Sequence, residues 1–209
     1  MIGLKSKAVD QLRSTVLQAA GYFKSFGHVL QVVYADRESN LGAMRSVVLP
    51  EGIRVVQSAA GLHEKTSERY TRAIREGVRS TREHIRQDLG YEFPAPFNEY
   101  LVRDVVFGLN RSPNVKTIGR LPYTLVTGQL VDGSNLFPSF GTVGYFHNPN
   151  HKQNSFPDRR GELGLVIGHE DETGTIIGYL IEGGRHKLRG TILSLSASRV
   201  HVRESSSVL

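Results

Sequence analysis

The sequence predicts an α/β domain followed by a small all-β module. Up to about residue 112, amphipathic segments with helical spacing alternate with short β-branched runs, a pattern typical of an α/β layer. Beyond about residue 137, short apolar runs are separated by turn residues, which indicates an all-β module. The chain has 209 residues, enough for one core with a small appendage, and its 39% hydrophobic and 22% charged residues are typical of a globular protein.

Apolar residues at helical spacing predict three helices in the α/β part, and β-branched runs predict two strands between them. The helices are expected at about residues 7–26, 64–88 and 97–109, and the strands at 28–35 and 52–57. In the all-β part, strands are expected at 141–146, 164–168 and 175–181. The predicted organisation is therefore an α/β domain, a linker, a β module and a frayed tail, at residues 1–112, 113–136, 137–203 and 204–209.

The composition limits the chemistry of any site. The chain contains no cysteine, which excludes disulfides, thiolate metal sites and a cysteine nucleophile, so a metal would need carboxylate or histidine ligands. Lysine and arginine exceed aspartate and glutamate by 26 to 20, and this excess favours anionic partners such as nucleic acid. No apolar run approaches the roughly 20 residues of a membrane span, so we expect no membrane partner.

Two carboxylates occupy positions from which they can share a metal ion. Asp36 follows a predicted buried strand, and Glu68 lies near the start of the helix predicted at 64–88. If the strand and the helix pack together, the pair suits Mg²⁺, which prefers oxygen ligands and activates nucleophiles at phosphodiesters. The alternative is structural: Asp36 caps a turn, and Glu68 is stabilised by the positive end of the helix dipole.

Arginines form a line along one side of the same helix. With Glu68 as the reference, helical geometry places five arginines within about 40° of it, and the apolar residues on the opposite side. The five are Arg72, Arg75, Arg79, Arg82 and Arg86. Glu76 and Glu83 lie beside this line, so aligned arginines would repel one another unless an anion such as a nucleic-acid backbone lies across them. The alternative is that the arginines pair with carboxylates of a neighbouring helix.

Several motifs in the right order resemble copia-type retrotransposon integrases. The run from Glu68 to Ser80, ERYTRAIREGVRS, is similar to the family's E-R-x-N-R-x-(L/I)-x-E-x-x-R-S. Upstream, Tyr34-Ala35-Asp36 resembles R-S-D at a strand end, and Gly52-Ile53-Arg54 resembles G-I-x at the next strand. Downstream, residues 120–128, 140–145 and 158–164 resemble T-P-Y-E-L-x-x-G, F-G-C-x-A-Y and D-x-R-G-x-x-G.

The resemblance implies a ribonuclease H-like core followed by a small all-β, SH3-like module. In that family, two metal ions lie between three carboxylates, and Asp36 and Glu68 match the second aspartate and the glutamate. The first aspartate has no match, so we expect an N-terminally truncated core lacking its first strands and inactive as given. Arg37, which stands where the family has asparagine, weakens metal binding if it points inward.

The function implied is DNA integration, with Asp36 and Glu68 as catalytic and metal-binding residues and Mg²⁺ or Mn²⁺ as cofactor if the site is completed. The DNA-binding residues would be Arg69, which the match keeps, together with Arg72, Arg75, Arg79, Arg82 and Arg86. The partners implied are retroelement ends and target DNA, with a second copy of the chain as a further candidate, in the nucleus or a retrotransposon particle. The alternatives are a non-catalytic DNA-binding remnant and a protein-interaction module.

Overall fold

The chain divides into two compact units. A computed structural model describes residues 9–35, 39–57, 65–88, 90–114, 117–136, 138–147, 161–171, 173–180, 192–195 and 200–202. The first unit comprises Met1–Ala73 and Arg120–Gln129, and the second comprises Ile74–Gly119 and Leu130–Leu209. The predicted boundaries at 112 and 137 stay a prediction.

Within the described residues the structure is mixed α/β, with five α-helices and two small sheets. The helices are α1 (Val9–Ser25), α2 (Ser39–Val48), α3 (Lys65–Asp88), α4 (Asn98–Asn110) and α5 (Pro122–Thr127). The strands are β1 (Val32–Ala35), β2 (Arg54–Gln57), β3 (Val143–His147), β4 (Gly161–His169), β5 (Ile176–Leu180), β6 (Ile192–Leu195) and β7 (Val200–Val202). The three predicted helices are confirmed as α1, α3 and α4, with small shifts at their ends.

The first unit is built around a parallel pair of strands. β1 and β2 pair in parallel, with Val33 opposite Val55, and α2 provides the crossover that a parallel connection requires. Its core is formed by apolar residues of α1, of α2 and of the chain at and just before β2, namely Leu12, Met44, Val48, Ile53 and Val55. The predicted strand at 28–35 is shorter than expected, because His28 to Gln31 precede the paired residues, and His28 Nε2 lies 2.8 Å from the carbonyl oxygen of Val126.

The second unit contains an antiparallel sheet in the order β6-β5-β4-β3-β7. One side of the sheet packs against the helices, in a cluster formed by Ile85, Phe97, Leu101, Phe140, Leu165, Ile167 and Tyr179. A second cluster contains Phe146, Val166, Ile176 and Leu180. Because neighbouring residues such as Leu165 and Val166 belong to different clusters, the alternation along β4 buries both faces of the sheet.

A glycine turn joins the helical part of the second unit to its sheet. Gly141 has a φ of 83°, in the left-handed region that favours glycine. The Tyr91 hydroxyl donates a hydrogen bond of 2.6 Å to the Gly141 carbonyl oxygen, and burial raises the pKa of Tyr91 above its ordinary value. This contact fixes the segment before α4 against the turn that leads into β3.

Among the residues that the structure describes, no helix combines the length and the apolar character needed to cross a lipid bilayer. The longest helix, α3, has 24 residues but carries charged side chains along its length.

Candidate nucleic-acid interface

The charged and apolar sides of α3 are separated as the sequence predicts. Val78 and Ile85 contribute to the core of the second unit, and Ile85 is fully buried. The five arginines of the predicted line are exposed, at Arg72, Arg75, Arg79, Arg82 and Arg86, and Arg69, which the family match adds, is exposed as well. Arg69 and Arg72 belong to the first unit, whereas the last four belong to the second. The second unit therefore presents a row of four guanidinium groups, which we call the arginine face.

α3 contacts α4 at a glycine of its arginine-bearing half. Gly77 lies against Val105 of α4, and a Cβ atom at position 77 would stand only 2.6 Å from Val105 Cγ1. A larger residue at position 77 would collide with Val105 unless that side chain moved, so the glycine makes room for Val105 against α3. Arg75 and Arg79 flank this contact in sequence, and the neighbouring Val78 packs on the core of the second unit.

Arg75 and Arg79 are the most available cations of the arginine face. Neither forms an ion pair or a hydrogen bond with another residue in the part of the chain that the structure describes. Unpaired guanidinium groups on neighbouring turns retain their five donors each, and forked donors suit phosphate oxygens. Their spacing of four residues places the two side chains on the same side of the helix.

The other two arginines of the face have partners. Arg82 donates a hydrogen bond to the side-chain oxygen of Asn98, and Arg86 forms an ion pair of 2.6 Å with Glu83. This pair lowers the pKa of Glu83 and raises that of Arg86, mainly through their hydrogen bond. The sequence predicts that Glu83 lies beside the line of arginines and not on it. Residues three positions apart are nevertheless neighbours on a helix surface, so the long side chains of Glu83 and Arg86 meet.

Of the two carboxylates that are predicted to share a metal ion, the structure describes one. Asp36 lies outside the described residues, and Glu68 is exposed in the first turn of α3. Their approach to one metal ion remains a prediction. Within the described ranges, no group of three or more histidine, aspartate or glutamate side chains could hold a metal ion.

A buried contact between a histidine and an aspartate was not predicted from the sequence. His169, at the end of β4, is buried, and its Nδ1 atom lies 2.8 Å from Oδ1 of Asp104 in α4. Its ring also stacks on Phe107, with the ring centres 4.9 Å apart. The two partners of the polar contact are separated by 65 positions, and neither belongs to a local motif that would have signalled the contact.

Comparison with known proteins assigns no family. No protein-family model matches the sequence, and no curated protein matches it. Among solved structures, the chain is similar to one in the cryoEM structure of the simian T-cell lymphotropic virus intasome in complex with PP2A regulatory subunit B56 gamma. The two chains share 9% identity with a TM-score of 0.45, over 97% of this chain and 67% of that chain. A similarity at this level carries no argument about function.

Proposed function

We propose that this chain derives from a copia-type retrotransposon integrase and binds DNA through its arginine-bearing helix. The observation that carries the proposal is the arginine face, where Arg75 and Arg79 project from α3 without a described partner. A net charge of +6 supports an anionic partner of the whole chain. A line of arginines on one helix face suits successive phosphates rather than base edges, so the binding is expected to lack strong sequence preference.

The proposal extends to the fold and the assembly. The parallel β1–β2 pair with its helices would be the remainder of a ribonuclease H-like core, and the antiparallel sheet would be the SH3-like module. The implied partners are retroelement ends and target DNA, with a second copy of the chain as a further partner. The implied place of action is the nucleus or a retrotransposon particle. These assignments rest on the motifs that resemble the family.

The proposed interaction is tested by measuring DNA affinity across a salt series. Binding of the full chain to labelled duplexes of unrelated sequence is followed by fluorescence anisotropy. We expect similar affinities for the different duplexes and a steep, linear fall of the logarithm of affinity with the logarithm of salt concentration, because each phosphate contact releases condensed counterions. Affinity that is independent of salt would contradict the proposal, since the arginine face would then contribute no phosphate contacts.

The proposal assigns Asp36 and Glu68 to a site for Mg²⁺ or Mn²⁺. A divalent ion held there would supply Lewis-acid activation of a phosphodiester and of the attacking oxygen, which is the chemistry of DNA cleavage and strand transfer. The contribution of this chain would be two carboxylates that hold the ion. If only this pair is present, the affinity for the ion should be weak, and the DNA-binding function does not depend on it.

Binding of Mn²⁺ can be measured directly, from the electron paramagnetic resonance signal of the free ion. We expect Asp36→Asn and Glu68→Gln each to weaken binding of Mn²⁺ by about tenfold, because each removes a charged ligand. Asp10→Asn, an equal loss of charge at an exposed position of α1, is the control. Equal affinities in the parent and both site variants would favour the reading of the chain as a non-catalytic DNA-binding remnant.

A further inference from the structure

A short sequence motif occurs twice in the half of α3 that belongs to the second unit. Residues 75–79 are REGVR and residues 82–86 are REHIR, so each copy has an arginine, a glutamate directly after it and a second arginine three positions beyond the glutamate. The copies are seven residues apart, close to two helical turns, and therefore lie on nearly the same side of α3. All of these charged side chains are exposed, so exposure does not distinguish the two copies.

Among the residues that the structure describes, the second copy contains an ion pair that the first copy lacks. Arg86 donates two hydrogen bonds to Glu83, from Nε to Oε2 over 3.2 Å and from Nη2 to Oε1 over 2.6 Å. Gln87 donates a third hydrogen bond to the same carboxylate, at Oε1. In the first copy, Glu76 and Arg79 have the same spacing but form no ion pair with each other or with any other described residue.

The ion pair uses the part of Arg86 that a phosphate would bind. A guanidinium group forks onto two oxygens of a carboxylate in the same way as onto two oxygens of a phosphate, so Glu83 occupies the group as a phosphate would. The carboxylate also cancels the positive charge of Arg86, and a pair of opposite charges attracts a nucleic-acid backbone far less than a single cation does. A phosphate that displaced Glu83 would still meet this negative charge one turn away on the helix.

Glu83 is the group that neutralises Arg86. The hydrogen bond with Glu83 is the largest cause of the raised pKa of Arg86, whereas Glu92 contributes less and through charge alone. Arg82 differs, because it donates a hydrogen bond to the side-chain oxygen of Asn98, and a neutral amide does not cancel its charge. Within the arginine face, neutralisation by a bonded carboxylate is therefore described for Arg86 alone.

We propose that Glu83 withholds Arg86 from nucleic acid and thereby limits the run of phosphates that the arginine face holds. The inference rests on the proposed DNA-binding function and adds to it which cations make the contacts. Arg75 and Arg79 are available to phosphates, whereas Arg86 becomes available only when the Glu83 carboxylate is removed. Glu83 thus acts as an internal substitute for a phosphate at one end of the face.

The test compares the salt dependence of DNA binding by the full chain and by its variant Glu83→Gln, measured by fluorescence anisotropy on one labelled duplex. Removing the carboxylate releases Arg86 for one more phosphate contact, so the log–log salt slope should become steeper by about 0.9. The affinity should then be about eightfold higher at about 0.1 M salt, taking the two affinities as equal at about 1 M salt. Both side chains are exposed, so the variant should melt like the parent. Equal slopes in the two folded proteins overturn the inference.

Glu76→Gln is the matched control for the loss of a negative charge. It removes an equal charge from the first copy of the motif, where the glutamate is paired with no arginine among the described residues. Its salt slope should change by much less than 0.9, because Arg79 is already available to phosphates. A steepening as large as that of Glu83→Gln would show that both variants act through overall charge, which overturns the inference.

Arg86→Ala identifies the side chain that is released. In the parent this substitution should leave the salt slope nearly unchanged, because the guanidinium group is already occupied, whereas in the Glu83→Gln background it should remove the gain of about 0.9. A loss of equal size in both backgrounds would show that Arg86 binds phosphate in spite of Glu83, and it overturns the inference. A parent whose affinity does not depend on salt overturns the proposed function and this inference together. A steep parent slope that Glu83→Gln leaves unchanged overturns the inference alone.

Discussion

Replacing both Arg75 and Arg79 by alanine should lower the affinity of the chain for duplex DNA by roughly 60-fold at about 0.1 M salt. This figure takes the affinities of the variant and the parent as equal at about 1 M salt. Each arginine that contacts a phosphate adds about 0.9 to the log–log salt slope, so the slope should fall by about 2. These two arginines are chosen because they are exposed and, among the described residues, lack the partners that hold Arg82 and Arg86. Fluorescence anisotropy across a salt series measures both quantities.

A matched control separates a local effect from a general loss of charge. Arg13→Ala with Arg45→Ala removes two positive charges from exposed positions of α1 and α2 and should leave the salt slope nearly unchanged. The double variant at Arg75 and Arg79 should melt like the parent, since both side chains point away from the core residues Val78 and Ile85. If it is folded and its affinity and slope equal those of the parent, the arginine face is solvated and does not bind DNA.

The arginine face could be predicted from the sequence because it depends on one helix alone. A period of 3.6 residues fixes which side chains share a side, and the exposed arginines and the buried Ile85 agree with it. The partner of Arg82 could not be predicted in this way, because Asn98 begins α4 and its position depends on how α4 packs. Arg86 and Glu83 are close in sequence, but their ion pair depends on the length of the two side chains and not on their positions around the helix axis alone.

The interior of the second unit was less predictable. Short apolar runs indicate strands, yet they do not give the strand order β6-β5-β4-β3-β7, which brings together residues far apart in the chain. The contact of His169 with Asp104 depends on the same long-range packing, because neither residue carries a signal of its own until α4 packs on β4. The role of the glycines in the strands could not be predicted either, because only the packed sheet shows which side chains cover them.

The aromatic ring of Phe146 covers two such glycines. Phe146 lies on β3 and is fully buried, and its ring extends across Gly164 of β4 toward Gly178 of β5. A Cβ atom at Gly164 would lie 2.8 Å from Phe146 Cδ2, and one at Gly178 would lie 2.6 Å from Cδ1. The ring therefore fills the space that side chains at 164 and 178 would occupy, and it links three strands.

Phe146→Ala should lower the free energy of unfolding by about 3–5 kcal/mol, because it removes buried apolar surface and leaves a cavity over the two glycines. Urea denaturation, followed by circular dichroism, measures the change. Tyr34→Ala removes a ring that is 65% exposed on β1 and should cost much less, roughly 0.5 kcal/mol. A small effect at Phe146 would mean that the ring is not packed between the strands as the structure shows.

The same contact predicts that two substitutions will compensate each other. Gly178→Ala alone should destabilise the chain by about 1–3 kcal/mol, because its methyl group collides with the Phe146 ring. In the Phe146→Ala background the methyl group enters vacated space, so Gly178→Ala should then be neutral or stabilising. The double-mutant cycle should therefore give a coupling of about 1 kcal/mol or more in the favourable direction. Additive effects would show that Gly178→Ala destabilises the chain through a contact other than that with Phe146. The ring would then not determine which residue β5 can carry at position 178.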